Sequence, residues 1–233
     1  MTTTKEIMHT YPNYPAPSGR AEVELVKANP FALLITNGAD CEHPPVATHL
    51  PIVFPPESGA TTDLTGHRLW GHLGRKNTHW QSFAEQPEAL AVFSTSQAYV
   101  SPSNYHFTPA APTLNYAAVH LTGTITVLED DAESLAVVER TVEALEGQRE
   151  SPWSPEGSHE LFRKIISGVV SFAFDVTGMT SMFKLSQDMP AQVHERVADD
   201  LDRPSCPHAD VAGLMRQTGV SESTGEDGED ATA

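Results

Sequence analysis

The chain has 233 residues, 39% of them hydrophobic and spread along its length, enough for one good core and too many for a disordered polymer. Its net charge of −17, from 31 acidic and 14 basic side chains, opposes direct binding to nucleic acid, and no apolar run of about 18 residues offers a membrane span. Cys41 and Cys206 lie far apart outside any CxxC pattern, which disfavours both a disulfide framework and a thiolate zinc site.

Met1-Thr2-Thr3-Thr4-Lys5-Glu6 lacks the basic-then-apolar plan of a secretory signal, so the expected location is the cytoplasm. Residues 1–17, with Pro12, Pro15 and Pro17, read as an extended arm that either covers a pocket or partner or stays loose. Ser18 caps a predicted helix running to about Ala28 with Val23 and Val26 inward, and Asn29-Pro30 stops it. Phe31–Thr36 is an apolar run of strand length ended by Asn37-Gly38. From Val46 to Phe54 the even positions Val46, Thr48, Leu50, Ile52 and Phe54 share one face, and Pro51 predicts an edge or a bulge. A helix is predicted around Asn77–Gln86 with Trp80 and Phe83 packed, then a buried strand from Ala89 to Ser94.

The loop after Ala98-Tyr99-Val100-Ser101-Pro102 is rich in Tyr, His and Asn, and such a loop either carries function or is a proline-stiffened connector. Tyr116–Val127 reads as a long strand burying Ala117, Val119, Leu121, Ile125 and Val127. Helices follow over Asp131–Glu146, with Leu135, Val138, Val142 and Leu145 as its stripe, and over Ser158–Ser167, burying Leu161, Phe162, Ile165 and Ile166. Val170, Phe172, Phe174 and Val176 alternate in a last strand, and Pro190–Leu201 predicts a surface helix. Residues 206–233 read as an acidic, unstructured tail, in which Glu222, Glu226, Asp227, Glu229 and Asp230 carry five of the 17 net charges. Consecutive strands with late helices predict one mainly β (α+β) domain over 18–205, an antiparallel barrel with peripheral helices.

Chemistry concentrates at residues 67–80. Leu69, Gly71 and Leu73 alternate with Trp70 and His72, which places His72 on the strand face opposite the leucines. Arg68, Arg75 and Lys76 gather there with His67, His72 and His79. Scarce positive charge in one place points to an anion held there, such as the acidic groups of a cofactor; the competing reading is a strand whose polar face is merely hydrated.

Four blocks, Ala47-Thr48-His49-Leu50-Pro51, Gly71-His72-Leu73-Gly74-Arg75-Lys76-Asn77 running to Trp80, Ala98-Tyr99-Val100-Ser101-Pro102 and Lys184-Leu185-Ser186-Gln187, joined by Pro112-Thr113-Leu114-Asn115-Tyr116, resemble the PaiB-like family of FMN-binding split barrels. Within it the chain looks closer to the piperazate synthases, which use haem b. The loop between Tyr105 and Thr113 is a short Ala/Pro form without the lysine-bearing insertion of the regulators. The block Met182-Phe183-Lys184-Leu185-Ser186-Gln187-Asp188 lacks both their Trp before the lysine and their Asn after the glutamine.

The resemblance implies a homodimer of split barrels acting on N5-hydroxy-L-ornithine, which is closed to L-piperazic acid with loss of water. His72 is then the axial iron ligand, with His49 as rival, and Arg75 and Lys76 pair with the haem propionates or, in a flavin-binding relative, with the FMN phosphate. Trp80 and Tyr116 complete the candidate cofactor contacts. Tyr99, Ser101, Tyr105 and Lys184 are the candidate substrate-side residues. The alternatives are an FMN-binding transcriptional regulator or sensor and a flavin-dependent reductase.

Overall fold

In the computed structural model, which describes residues 8–38, 43–56 and 58–218, Ser18 opens the first helix as its sequence predicts. Its hydroxyl accepts the Ala21 N–H at 3.2 Å, and α1 (Gly19–Ala28) buries Val23, Leu25 and Val26. Such a cap is worth about 1 kcal/mol. Cys41 and residues 219–233 of the tail lie outside the described residues.

The remaining elements, in chain order, are β1 (Phe31–Thr36), β2 (Val46–Val53), β3 (Arg68–Gly74), β4 (Glu88–Ser94), β5 (Ala98–Val100), β6 (Thr113–Leu128), α2 (Asp131–Glu146), α3 (His159–Ile165), β7 (Val169–Lys184), α4 (Ala191–Leu201) and α5 (Ala209–Thr218). They form two compact units. The first runs to Thr95 and adds Ala117–Phe183; the second combines Ser96–Tyr116 with the chain from Lys184 onward.

In the first unit the strands follow the order β4-β1-β2-β3-β7-β6, and β4 also pairs with β6, which closes the barrel. Alternation fills it: Leu34, Ile52, Leu69, Phe93, Leu121, Phe172 and Phe174 are all less than 2% exposed. Pro51 sits where β2 is paired in register only with β1, since β2 meets β3 only at Ile52 and Val53. The strand itself is not an edge strand, since β2 lies between β1 and β3, but at Pro51 only one side is paired and its missing N–H costs no ladder bond. Gly71 faces inward opposite Phe172, and a Cβ there would lie 2.4 Å from the Phe172 ring, so only glycine admits that aromatic.

Three expectations need correction. The segment after Asn77 is a 3-10 turn, Thr78–Ser82, that buries His79 and Phe83, because Asn77 caps it tightly through the His79 N–H at 3.0 Å. The buried stripe of α2 is Ser134, Val137 and Thr141 and leaves Leu145 41% exposed; small and β-branched residues allow the close approach that leucine would block. On α3 only the following Ile166 is buried, and Leu161 and Ile165 are more than half exposed.

The second unit pairs β5 with the start of β6, Ala98 opposite Asn115 and Val100 opposite Thr113. Its helices α4 and α5 bury Val193, Val197 and Leu201 and Val211, Ala212 and Met215 respectively. Helix α5 falls inside the 206–233 stretch read as tail, so the structured chain extends to at least Thr218. The spacing of Val211 and Met215, four positions apart on one helical face, is the signal for it.

Candidate functional site

The residues nominated on the first unit follow from how β3 ends. Asn77 donates its backbone N–H to the Gly74 carbonyl at 2.8 Å and turns the chain, which brings Trp80 back over the strand end. The Trp80 indole N–H then reaches the Arg75 carbonyl at 3.0 Å, and the Arg75 guanidinium lies 5.6 Å from the Trp80 ring centroid. Arg75 also donates to the backbone carbonyls of Ser167 and Val169 at 2.7 and 2.9 Å. Lys76 is exposed and has no hydrogen bond or ion pair among the described residues, so its ammonium is open to an anion. Arg68 is not a free cation. It sits opposite Asp175 in the β3–β7 register and forks onto its two carboxylate oxygens at 2.7 and 2.8 Å. The Arg68 hydrogen bonds hold the Asp175 carboxyl below its usual range.

The three histidines of the stretch have different fates. His67 lies before β3, with its carbonyl accepting the Val176 N–H at 2.9 Å. His79 is buried, with Nε2 2.8 Å from the Thr36 hydroxyl and Nδ1 2.9 Å from that of Thr48, so both ring nitrogens are spent on holding β1 and β2. His72 is half-buried on the outer face of β3, with Nδ1 3.4 Å from the Thr141 hydroxyl of α2. Burial lowers the pKa of both rings and keeps them neutral near pH 7. His49 is exposed on β2 and stacks on Phe31, ring centroids 5.8 Å apart at 22°.

Burial also depresses His194, partly offset by its bond to the Leu185 backbone. A histidine whose folded pKa lies below its unfolded value of about 6.5 binds its proton more readily when unfolded. Its contribution to stability is therefore complete above about pH 6.5 and is lost as the pH falls through the folded value. Thermal unfolding scans from neutral pH downward should show Tm falling from about pH 6.5, and His79→Gln should flatten that fall. An unchanged slope would remove His79 from the cause.

On the second unit, two of the sequence blocks are joined. Lys184 donates to the Thr113 hydroxyl and, at 2.8 Å, to the Leu114 carbonyl. Ser186, held at φ +59°, exchanges hydrogen bonds with buried Asn115 at 2.9 and 3.1 Å. Asn115 is the member that residue-type reasoning passed over. Lys184 also forms the end of an open groove of about 530 Å³ lined by Tyr99, Pro112, Thr113, Leu114 and Tyr116. Burial lowers the lysine pKa, against a small opposing pull from Asp188. Tyr99 is 58% exposed at this groove.

Ser101 is a helix cap, its hydroxyl accepting the Ser103 N–H at 3.2 Å. Tyr105 is 2% exposed and stacks under Phe107 at 5.5 Å; its buried hydroxyl has no partner among the described residues, and burial raises its pKa. The structure thus brings His72, Arg75, Lys76 and Trp80 onto β3 and its turn, brings Tyr99, Tyr116 and Lys184 onto one groove, and gives Ser101 a capping role.

The first unit is thus a closed six-stranded antiparallel barrel with a cationic turn after its third strand. Residues 8–178 match the protein-family model described as "Putative FMN-binding domain". The chain belongs to that FMN-binding family. Protease synthase and sporulation protein PAI 2 of Bacillus subtilis is 31% identical over 196 residues, covering 82% of this chain and 88% of the relative. An uncharacterized protein of Aspergillus fumigatus is 28% identical over 225 residues, covering 77% of this chain and 85% of its own. The crystal structure of conserved hypothetical protein Rv2991 from Mycobacterium tuberculosis superposes with a TM-score of 0.53 at 11% identity, covering 78% of this chain and 94% of that one, a likeness of fold alone. The split-barrel expectation therefore holds, and so does the likeness to PaiB. Among the described residues no helix is long and apolar enough to cross a membrane.

Proposed function

We propose that the chain is a haem-dependent cyclase of the piperazate synthase type, acting on N5-hydroxy-L-ornithine. The observation that carries this reading is His72, a neutral imidazole engaged at Nδ1 alone, three residues before the Arg75-Lys76 pair. An FMN site has no need of an imidazole there, whereas a haem iron would be held by one.

The residues fit the group. His72 supplies the lone pair, Lys76 an unengaged ammonium, and Arg75 the guanidinium N–H groups left over from Ser167 and Val169. When bound, haem iron supplies a Lewis acid that eases departure of hydroxide from nitrogen. The balance is simple: one N–N bond forms between the two amino nitrogens, the N–O bond breaks, and one water leaves with no change of overall redox state. The α-amine must be neutral to attack, which requires a base or a dry pocket.

The cyclase is expected to be a homodimer. In support, Phe31 is 65% exposed on the outer barrel face, and half-buried Leu33, Ile35, Leu90 and Val92 share that face by strand register. Apolar patches of this kind mark association surfaces. Light scattering on a sizing column should give twice the chain mass, and a monomer would remove the dimer.

A second reading is favoured by the family description: Arg75 and Lys76 would hold the phosphate of FMN, and the protein would be an FMN-binding sensor or regulator. Absorption after separate incubation with haemin and with FMN decides between them. A Soret band, followed by turnover of the hydroxylated ornithine with loss of one water, is the expected result. A protein that turns yellow with FMN and stays colourless with haemin overturns the cyclase reading.

A further inference from the structure

The outer face of β3 is not open along its length. His72 stands opposite Ser171 in the β3–β7 register, so the two side chains share one face, and α2 approaches that face with Ser134, Val137 and Thr141 buried. This makes a narrow seam between helix and sheet, outside the barrel core.

Thr141 is the group in it whose proton can be located by distance. Its hydroxyl has one hydrogen and lies 2.8 Å from the Val137 carbonyl and 3.4 Å from His72 Nδ1. A carbonyl can only accept, and the shorter contact takes the proton. Thr141 Oγ1 is then purely an acceptor toward His72, and the contact is a hydrogen bond only when Nδ1 carries a hydrogen. We infer that Thr141 is a positioning residue: it fixes His72 in the Nδ1–H tautomer and leaves Nε2 as the lone-pair nitrogen.

His79 provides the internal contrast. Each of its nitrogens has a threonine hydroxyl within 2.9 Å, so neither is left for a ligand. Ser171 does not share the role of Thr141, because its wholly buried hydroxyl has no partner among the described residues. The arrangement at His72 is what a metal-binding histidine needs, since the ring nitrogen away from the metal donates to an acceptor that sets orientation and basicity. In that respect the inference deepens the cyclase reading and rests on it for what Nε2 binds, but the tautomer is a property of the ligand-free protein.

The test uses long-range proton–nitrogen correlation spectra of the full-length, ligand-free protein with labelled histidine, at a pH above about 7 where the ring is neutral. His72→Gln identifies the His72 signals by their disappearance. Wild-type His72 should show the Nδ1–H pattern. Thr141→Val, which keeps the shape of the side chain, should move it to the Nε2–H pattern favoured by an unconstrained neutral histidine. Thr141→Ser should restore the wild-type pattern, and Ser171→Ala should leave it unchanged.

An Nε2–H pattern in the wild type, or a Thr141→Val spectrum identical to it, overturns the inference. If Thr141→Val does not fold, the wild-type and serine patterns still decide. A haemin titration separates the two claims, with Thr141→Val expected to weaken binding by about 10–100-fold. Failure of every form to bind haemin, with the Nδ1–H pattern intact, would sink the cyclase reading and leave the role of Thr141 standing.

Discussion

Replacing His72 by alanine is expected to abolish haem retention while leaving the barrel folded. The substitution removes the nitrogen proposed to hold the iron but leaves Arg75, Lys76 and Trp80 in place, because their geometry depends on the Asn77 turn and on carbonyls of residues 167 and 169. Loss of an outer-shell partner of a metal ligand costs about 10–100-fold in affinity, so loss of the ligand itself should exceed that range. Stability should change little, since His72 is half-buried and its hydrogen-bond contact with Thr141 is long, at 3.4 Å. The Soret absorbance surviving gel filtration, read beside far-ultraviolet circular dichroism, measures both. FMN retention should be indifferent to the change. Haem retained by His72→Ala at wild-type level would remove His72 as ligand, and His49→Ala would then be the next variant to measure.

The largest effect on folding is expected from Phe172→Ala. Phe172 is 0% exposed near the start of β7, packs edge-on against Phe83 at 5.6 Å and fills the notch left by Gly71. Truncating a buried phenylalanine costs about 3–5 kcal/mol, a large share of the roughly 5–15 kcal/mol that stabilises a domain. Urea unfolding should show a much lower midpoint with a similar slope. The complementary change, Gly71→Ala, pushes a methyl into the same ring and should cost about 1–3 kcal/mol. Its effect on haem is the more informative readout, because the strand would have to shift beside His72. A wild-type midpoint for Phe172→Ala would mean that the notch collapses without penalty.

Much of the barrel was legible because alternation is local. Leu69, Gly71 and Leu73 announced a strand with one buried face, and the structure buries those three. The cap at Ser18 was readable for the same reason. What escaped depended on partners distant in sequence. Arg68 counted as part of a cationic cluster until Asp175, 107 residues away, neutralised it. Nothing near His79 betrays that Thr36 and Thr48 claim both of its nitrogens. In α2 the largest apolar residues were taken for the buried stripe, but close packing against β3 selected Ser134, Val137 and Thr141. Hydropathy cannot report that choice, because it is made by the space available under the helix. The likeness to PaiB, carried by short blocks in order, was confirmed by the family match; the finer assignment to haem chemistry rests on His72.

Arg75 carries one last consequence. Its guanidinium is committed by two N–H groups to the chain just before and at the start of β7, while its remaining charge faces outward beside Lys76. Lysine at this position would keep the charge but lose the two-pronged grip, because an ammonium is not a planar fork. Arg75→Lys should therefore loosen the 167–169 corner, raising amide exchange there, even where anion affinity is preserved. Occupancy of the site and rigidity of that corner are thus linked through one side chain, and an acidic ligand that drew the guanidinium off those two carbonyls would slacken the 167–169 corner.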